Sequence, residues 1–280
     1  MITKLSPAKL NLYLRVLRKR EDGYHDIATL MQRISLYDEM IFLPTDNSIT
    51  ISCPDSTLPE NENNIVYRAA EALLSRLSYS QGIHIIIKKK IPISAGLGGG
   101  SSNAATALMT INEILGLNYT CNDLMKIGST LGADVPFFIL QKAAWAFGIG
   151  DKLQAAENTP FLWFVLINPG FEVSTKMVYE SLKLRLTKRV VKYKCPALHT
   201  VEDMIKELHN DLEKVTLPLH PVLRHYKNLL IQHGALGALM SGSGPTIAGI
   251  FPGEKEASAA KKSLENMGGN GYSIFSVHSI

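Results

Sequence analysis

The chain has 280 residues, 46% of them hydrophobic and 19% charged, which is enough length and apolar content to bury a sizeable core. That balance excludes the disordered and fibrous classes, and a mild net charge of +4 favours small anionic ligands only weakly over a dedicated nucleic-acid surface. The positive charge sits in local runs, "RVLRKR", "IKKKI" and "LKLRLTKRVVKYK", which suit small anionic ligands or plain solvated faces.

The first ninety residues read as β-rich. "KLNLYLRVL" alternates apolar and polar positions, "EMIFLP" and "SITISC" are short strands edged by proline and asparagine, and "GIHIIIKKKI" is strongly β-branched. Ahead of the last of these, Ile65, Ala69, Leu73 and Leu77 recur at helical spacing. A helix predicted from Ser101 carries Ala104, Ala105, Leu108, Ile111 and Leu115 on one face and stops at Gly116. A second helix covers "TCNDLMKIGSTLG", with Asp123 in its first turn.

After Asp151 the pattern continues with a buried strand "FLWFVLINPG", a helical "STKMVYESL", and a helix "VEDMIKELHNDL" ending near Pro218. Then come a helix at "PVLRHYKNLLIQHG", strands at "GALGALMSG" and "TIAGIF", the helix "EKEASAAKKSLENMG" and the strand "YSIFSVH". This order is α+β. A boundary between residues 150 and 160 divides the chain into expected domains 1–153 and 154–280. Cys53, Cys121 and Cys195 are far apart and odd in number, so they imply neither a disulfide framework nor a CxxC metal site. The N-terminal residues contain no signal-peptide core, and "FLWFVLI" is far too short for a membrane span. The expectation is a cytoplasmic protein without membrane insertion.

"IPISAGLGGGSSNAATALMTINEILG" places a glycine-rich loop between a β-branched strand and an amphipathic helix. Glycines let backbone N–H groups curl close to an anion, and serines at a helix start cap its unpaired amides, so the loop reads as a phosphate cradle. It lacks the Gly-Lys-Ser/Thr of a P-loop. Ser101 stands where a dinucleotide fingerprint needs its third glycine, and Glu113 falls inside the helix. The DFG and HRD motifs of protein kinases are missing too.

"PISAGLGGGSSNAA" resembles the central phosphate-binding motif of the GHMP kinases, the small-molecule kinases named for galactose, homoserine, mevalonate and phosphomevalonate. "SPAKLNLYLRV" before it and "GALMSGSGPTIAGIF" after it resemble two further motifs of that family, in the same order. "DGYHDI" with "LMQ", and "LGADVPFF", are similar to the branch that acts on a cytidine-diphosphate-linked methylerythritol in the non-mevalonate route to isoprenoids. The resemblance implies a two-domain fold with the active site in the cleft between the domains, and ATP-dependent phosphorylation of that acceptor's 2-hydroxyl. Another GHMP small-molecule kinase, of homoserine or mevalonate type, and a non-catalytic nucleotide-binding module are the alternatives.

Phosphoryl transfer needs an in-line acceptor hydroxyl and compensation of spreading negative charge, hence a carboxylate, a cation and amide donors. From the residues alone, Asp134 in "LGADVPFF" reads first as a turn or helix cap and only second as a catalytic carboxylate. Lys9, on an apolar-alternating strand, is either a costly buried charge or a snorkelling lysine. The resemblance implies that Asp134 is the general base and that Lys9 contacts it. It also implies that ATP lies along Pro92, Gly96, Leu97, Gly98, Gly99, Gly100, Ser101 and Ser102; the adenine is expected at "ENNIVYRAA", near Asn64, where Ile65 and Val66 read equally well as core. Magnesium (Mg2+) is expected to be held mainly through ATP and water, since no glutamate matches the family's metal partner. Lys88 to Lys90 lead into the loop and either lean on the nucleotide or, as the first reading for most of them, form a solvated strand end. From the residues alone Tyr24 and His25 are a surface pair in a loop; the resemblance implies that Tyr24 stacks on cytosine and His25 hydrogen-bonds it, with Tyr179 as a second aromatic. Thr175, Asn11 and Gly242 are expected to hold the acceptor's tail and phosphates. The expected partners are this small-molecule substrate and ATP, with no nucleic acid and no membrane, in a monomer or weak homodimer.

Overall fold

A computed structural model of the chain describes residues 1–78, 80–182, 193–196, 198–267 and 271–280, so most of the basic run at 183–192 lies outside the described residues. In chain order the elements are β1 (Ile2–Lys19), β2 (His25–Thr45), β3 (Ile49–Ser52), α1 (Ile65–Leu74), β4 (Gly82–Lys88), α2 (Gly99–Ile114), α3 (Cys121–Leu131), α4 (Val135–Leu140), β5 (Ala144–Gly148), β6 (Lys152–Ala155) and β7 (Trp163–Asn168). There follow α5 (Thr175–Glu180), α6 (Val201–Glu207), β8 (His209–Asn210), α7 (Glu213–Leu219), α8 (Val222–Gln232), β9 (Gly237–Met240), β10 (Ile247–Phe251), α9 (Glu254–Asn266) and β11 (Ser273–His278). The fold is α+β, as expected. Among the described residues no helix is long and apolar enough to cross a membrane.

The chain forms two compact units, neither continuous in sequence. The first comprises Met1–Ala8, Leu36–Ile91 and Gly98–Lys142; the second comprises Lys9–Ser35, Pro92–Leu97 and Ala143–Ile280. β1 and β2 each run through both.

In the first unit, residues 39–45 of β2 pair antiparallel with β4, and β3 joins β4 in parallel. The alternation of β4 puts Ile83, Ile85 and Ile87 in the core. α1 packs on α2 because Ala104, Ala105 and Ala107, all fully buried, leave room for a close helix approach. α3 packs on α4 at Gly128, where a Cβ would come 2.8 Å from Val135.

In the second unit β1 lies beside β2, β8 flanks β1 in parallel, and β5 pairs with residues 27–31 of β2 and with β6. A second, antiparallel sheet has the order β11-β7-β10-β9. Its apolar face, with Val165, Ile167, Ile247 and Phe251, forms a core with Leu223, Leu229 and Leu230 of α8 and Ala257, Ala260 and Leu264 of α9.

Several expectations need correction. "EMIFLP" is the end of a 21-residue strand rather than a short one. α2 begins at Gly99, two residues before Ser101, and its N-cap is Gly98 with φ +69° and no side-chain cap, so the serines lie inside the first turn. "VEDMIKELHNDL" is not one helix: α6 ends at Glu207 and β8 intervenes. Asn210 Oδ1 takes the Leu212 amide at 2.9 Å and the Asp211 amide donates to the Leu14 carbonyl, so local and cross-strand bonds displace the helical ladder.

Candidate active site

The first unit holds the helix half of the glycine loop. The first helical bond of α2 runs from Ser102 N to Gly98 O, so the amides of Gly99, Gly100 and Ser101 precede the ladder and point out of the helix N-terminus. Gly98 turns the chain in the left-handed region that glycine enters freely. Ser102 is fully buried, its hydroxyl bonded by Ser6 Oγ at 2.8 Å.

Beneath this turn lies a polar network that sequence reasoning missed. Asp38, fully buried, accepts from the amides of Lys90 at 2.8 Å and Ile91 at 2.9 Å on one oxygen. Its other oxygen accepts from Asn103 Nδ2 at 3.0 Å and from Lys89 Nζ. Lys89 Nζ also donates to Asn103 Oδ1 at 3.2 Å and lies 3.1 Å from where a Cβ would stand on Gly99. The run at Lys88 to Lys90 is therefore not simply solvated: Lys88 pairs with Glu39 at the surface, whereas Lys89 is buried against the loop. In the sequence Asp38 is one of three acidic residues on β2, with Asp26 and Glu39, and nothing local sets it apart.

Asp134 precedes α4 and makes no capping bond to it, so the plain cap reading does not describe its side chain. Asn64 is buried as the N-cap of α1: Oδ1 accepts from Val66 N at 2.9 Å and Nδ2 donates to Pro59 O at 2.7 Å. Its side chain is thus committed to the loop and the start of α1, and its main-chain N–H donates to Asn61 O at 2.9 Å. Among the described residues no group of three or more His, Cys, Asp or Glu is placed to hold a metal ion.

The second unit gathers the other half of the loop with the N- and C-terminal motifs. Lys9 lies mid-strand in β1 and is 4% exposed; its amide donates to Leu97 O at 2.9 Å, and its Nζ donates to Asn11 Oδ1. Gly96, with φ +77°, sits so close to the 241–244 turn that a Cβ would fall 2.2 Å from Ser241 O. Ser241 Oγ donates back to Gly96 O at 2.9 Å. A Cβ on Gly242 would stand 3.2 Å from Asn11 Oδ1 and 3.7 Å from Lys9 Nζ, so this glycine borders the pair directly. Thr175 and Ser243 share a hydroxyl bond of 2.8 Å. The turn is held from below by Asn210, whose Nδ2 donates to the carbonyls of Met240 and Gly242 at 2.7 Å each, and by Thr216, bonded to Ser243 O at 3.2 Å. Pro92, Gly96 and Leu97 therefore belong with Lys9, Asn11, Thr175 and Gly242, while Asn64, Gly98 to Ser102 and Asp134 lie in the first unit.

Tyr24 and His25 differ sharply. Tyr24 follows the Gly23 turn and is 61% exposed; His25 opens β2 and is 6% exposed. The turn is braced by Arg20 bonded to Asp22 and Asp26, and by Arg18 bonded to Asp26. The His25 ring lies 5.3 Å from that of Tyr179, at 34°. Its Nε2 is buried and has no hydrogen-bond partner. Burial, helped by the charge of Lys19, holds the imidazole below the usual histidine pKa, so it is neutral at pH 7.

The chain is similar to known proteins over its whole length. Residues 64–142 match the GHMP kinases N terminal domain and residues 186–270 match the GHMP kinases C terminal. The chain is 56% identical over 280 residues to the 4-diphosphocytidyl-2-C-methyl-D-erythritol kinase of Syntrophus aciditrophicus, covering 100% of both chains. It is 48% identical over 267 residues to the enzyme of that name from Geobacter metallireducens, covering 95% of this chain and 94% of the relative. A crystal structure of 4-(cytidine 5'-diphospho)-2C-methyl-D-erythritol kinase superposes with a TM-score of 0.84 at 32% identity, over 99% of each chain. The homoserine kinase of Cytophaga hutchinsonii shares the fold, with a TM-score of 0.72 at 19% identity over 100% of this chain and 97% of that one.

Proposed function

Because the chain belongs to the GHMP kinases, in the branch of the 4-diphosphocytidyl-2-C-methyl-D-erythritol kinases, we propose roles for its residues in that reaction. The enzyme phosphorylates 4-diphosphocytidyl-2-C-methyl-D-erythritol with ATP in the non-mevalonate pathway. The acceptor's 2-hydroxyl oxygen attacks the γ-phosphorus, the bond to the β-bridging oxygen breaks, ADP leaves, and the hydroxyl proton passes to the Asp134 carboxylate. Lys9 supplies the cation that faces the developing charge and Asp134. ATP phosphates take the amides of Gly98 to Ser101, with Pro92, Gly96, Leu97 and Ser102 shaping the loop and the adenine beside Asn64. Magnesium is held chiefly by the nucleotide and water. The donor set fits this division: Asp38, the carboxylate beneath α2, already accepts four donors, and Ser102 is bonded to Ser6.

The observation that carries the acceptor assignment is His25. A neutral, buried imidazole with an unpartnered Nε2 beside an aromatic ring suits the edge and face of a cytosine. Tyr24 stacks on the same base, and Asn11, Thr175 and Gly242 hold the acceptor's tail and diphosphate. Family domains of 1–153 and 154–280, a cytoplasmic location, a monomer or weak homodimer, and no nucleic-acid partner complete the proposal.

The test is an acceptor panel at fixed ATP. Turnover with the cytidyl acceptor and none with homoserine or mevalonate is expected. Phosphorylation of either of those with the cytidyl compound left untouched would overturn the assignment, and no turnover with any acceptor would favour a silent nucleotide-binding module.

A further inference from the structure

We propose that Thr29 is a positioning residue that sets the polarity of the Asn11 amide and thereby holds the Lys9 ammonium in place. The inference rests on the proposed role of Lys9. An asparagine side chain has a donor end and an acceptor end of almost the same shape, so sterics alone do not decide which faces a neighbour. Here the decision comes from Thr29 on β2, which is fully buried at 1% exposure. Its hydroxyl lies 2.6 Å from the Tyr13 carbonyl, and a carbonyl only accepts, so the single Thr29 proton points there. The remaining lone pairs of Thr29 Oγ1 face Asn11 at 2.8 Å and require a donor, which is Asn11 Nδ2.

With Nδ2 committed, Oδ1 is turned to the other side, where Lys9 Nζ donates to it. The reverse amide would put an N–H2 group against an ammonium and leave Thr29 facing a second acceptor. Ser241 repeats the logic on the main chain. Its proton goes to the Gly96 carbonyl, so its oxygen accepts from the Asn11 amide at 3.3 Å. Two hydroxyls, each oriented by a carbonyl, grip Asn11 from opposite ends of the sequence. The resulting relay runs Lys9, Asn11, Thr29, Tyr13 carbonyl, and all of it lies in the second unit.

Thr29→Val keeps the shape and removes the hydroxyl, so Asn11 loses its orienting acceptor. The expected result is a fall in kcat of about 10- to 100-fold, the range for a misplaced catalytic group, with the KM for ATP within about twofold of wild type. Thr29→Ser restores the hydroxyl and is expected to recover most of the loss. Thr29→Ala makes the same deletion should the valine variant fail to fold by circular dichroism. Each is then combined with Asn11→Ala: if Thr29 acts through Asn11, deleting the hydroxyl costs kcat nothing further in that background.

A folded Thr29→Val enzyme with wild-type kcat overturns the proposal, as does a loss of the same size with and without Asn11. Lys9→Ala is assayed alongside. If that variant retains turnover, the reading of Lys9 itself fails; if it is inactive while Thr29→Val is fully active, only the inference about Thr29 fails.

Discussion

Asp38→Asn offers a quantitative test of how the phosphate loop is supported. The native carboxylate accepts two donors on each oxygen: the Lys90 and Ile91 amides on one, Asn103 Nδ2 and Lys89 Nζ on the other. An asparagine of the same shape must turn its N–H2 toward one of these pairs, so in either orientation two donors lose their acceptor and meet another donor. One orientation takes the carboxylate from the Lys89 ammonium, whose side chain is only 9% exposed, and leaves it only the neutral Asn103 Oδ1. Breaking a buried pair in this way costs about 3–5 kcal/mol. At roughly 2–4 °C per kcal/mol for a chain of this size, the melting temperature is expected to fall by about 10 °C. The KM for ATP should rise more than the KM for the acceptor, because the strand end that feeds the loop loses its anchor.

Adding Lys89→Met removes that ammonium. The double variant should be more stable than the sum of the single losses predicts, by about 1–3 kcal/mol. Differential scanning calorimetry on the four proteins completes the cycle. A melting temperature for Asp38→Asn within about 3 °C of wild type, or strict additivity in the double variant, refutes the argument.

Three further outcomes are expected. Gly96→Ala forces a left-handed φ of +77° on alanine and drives its Cβ into Ser241 O; Gly23→Ala, at φ +86° with nothing within 4 Å, carries only the conformational cost of about 1–2 kcal/mol. Gly96→Ala should therefore melt lower and lose turnover, and equal melting temperatures would contradict the close approach. His25 has a folded pKa below its unfolded value near 6.5, so its contribution to stability is present above that pH and is lost as pH falls through the window beneath it. The KM for the cytidyl acceptor should be flat above about pH 6.5 and rise below it, while the KM for ATP stays level; a His25→Gln enzyme with the same acid limb would exclude His25 as its source. Asp134→Ala is expected to lower kcat by orders of magnitude with ATP affinity nearly unchanged, as measured by isothermal titration; retained turnover would remove the proposed base.

Much of the fold and of the proposed site was legible because local backbone demands leave a local record. The left-handed turns at Gly96 and Gly98, the small faces of α2, and the alternation that sets Lys9 and Asn11 on one face of β1 all follow from neighbours a few positions apart. The same local reading failed at β8, where helical periodicity was overridden by pairing with β1, and at α2, whose start was set by the turn at Gly98 rather than by the serine pair.

Partners far apart in sequence were beyond any periodicity. Asn11 meets Ser241 across 230 positions, Lys89 meets Asp38 across 51, and Asn210 reaches the Gly242 carbonyl across 32. By itself the sequence determined where flexible glycine, charge and apolar faces stand along the chain, because those properties belong to single residues and short spacings. The tertiary structure alone decided which carbonyl orients which hydroxyl, and hence which way the Asn11 amide points. That choice depends on strand register and on the path of the chain, and neither is carried by the local pattern of residues.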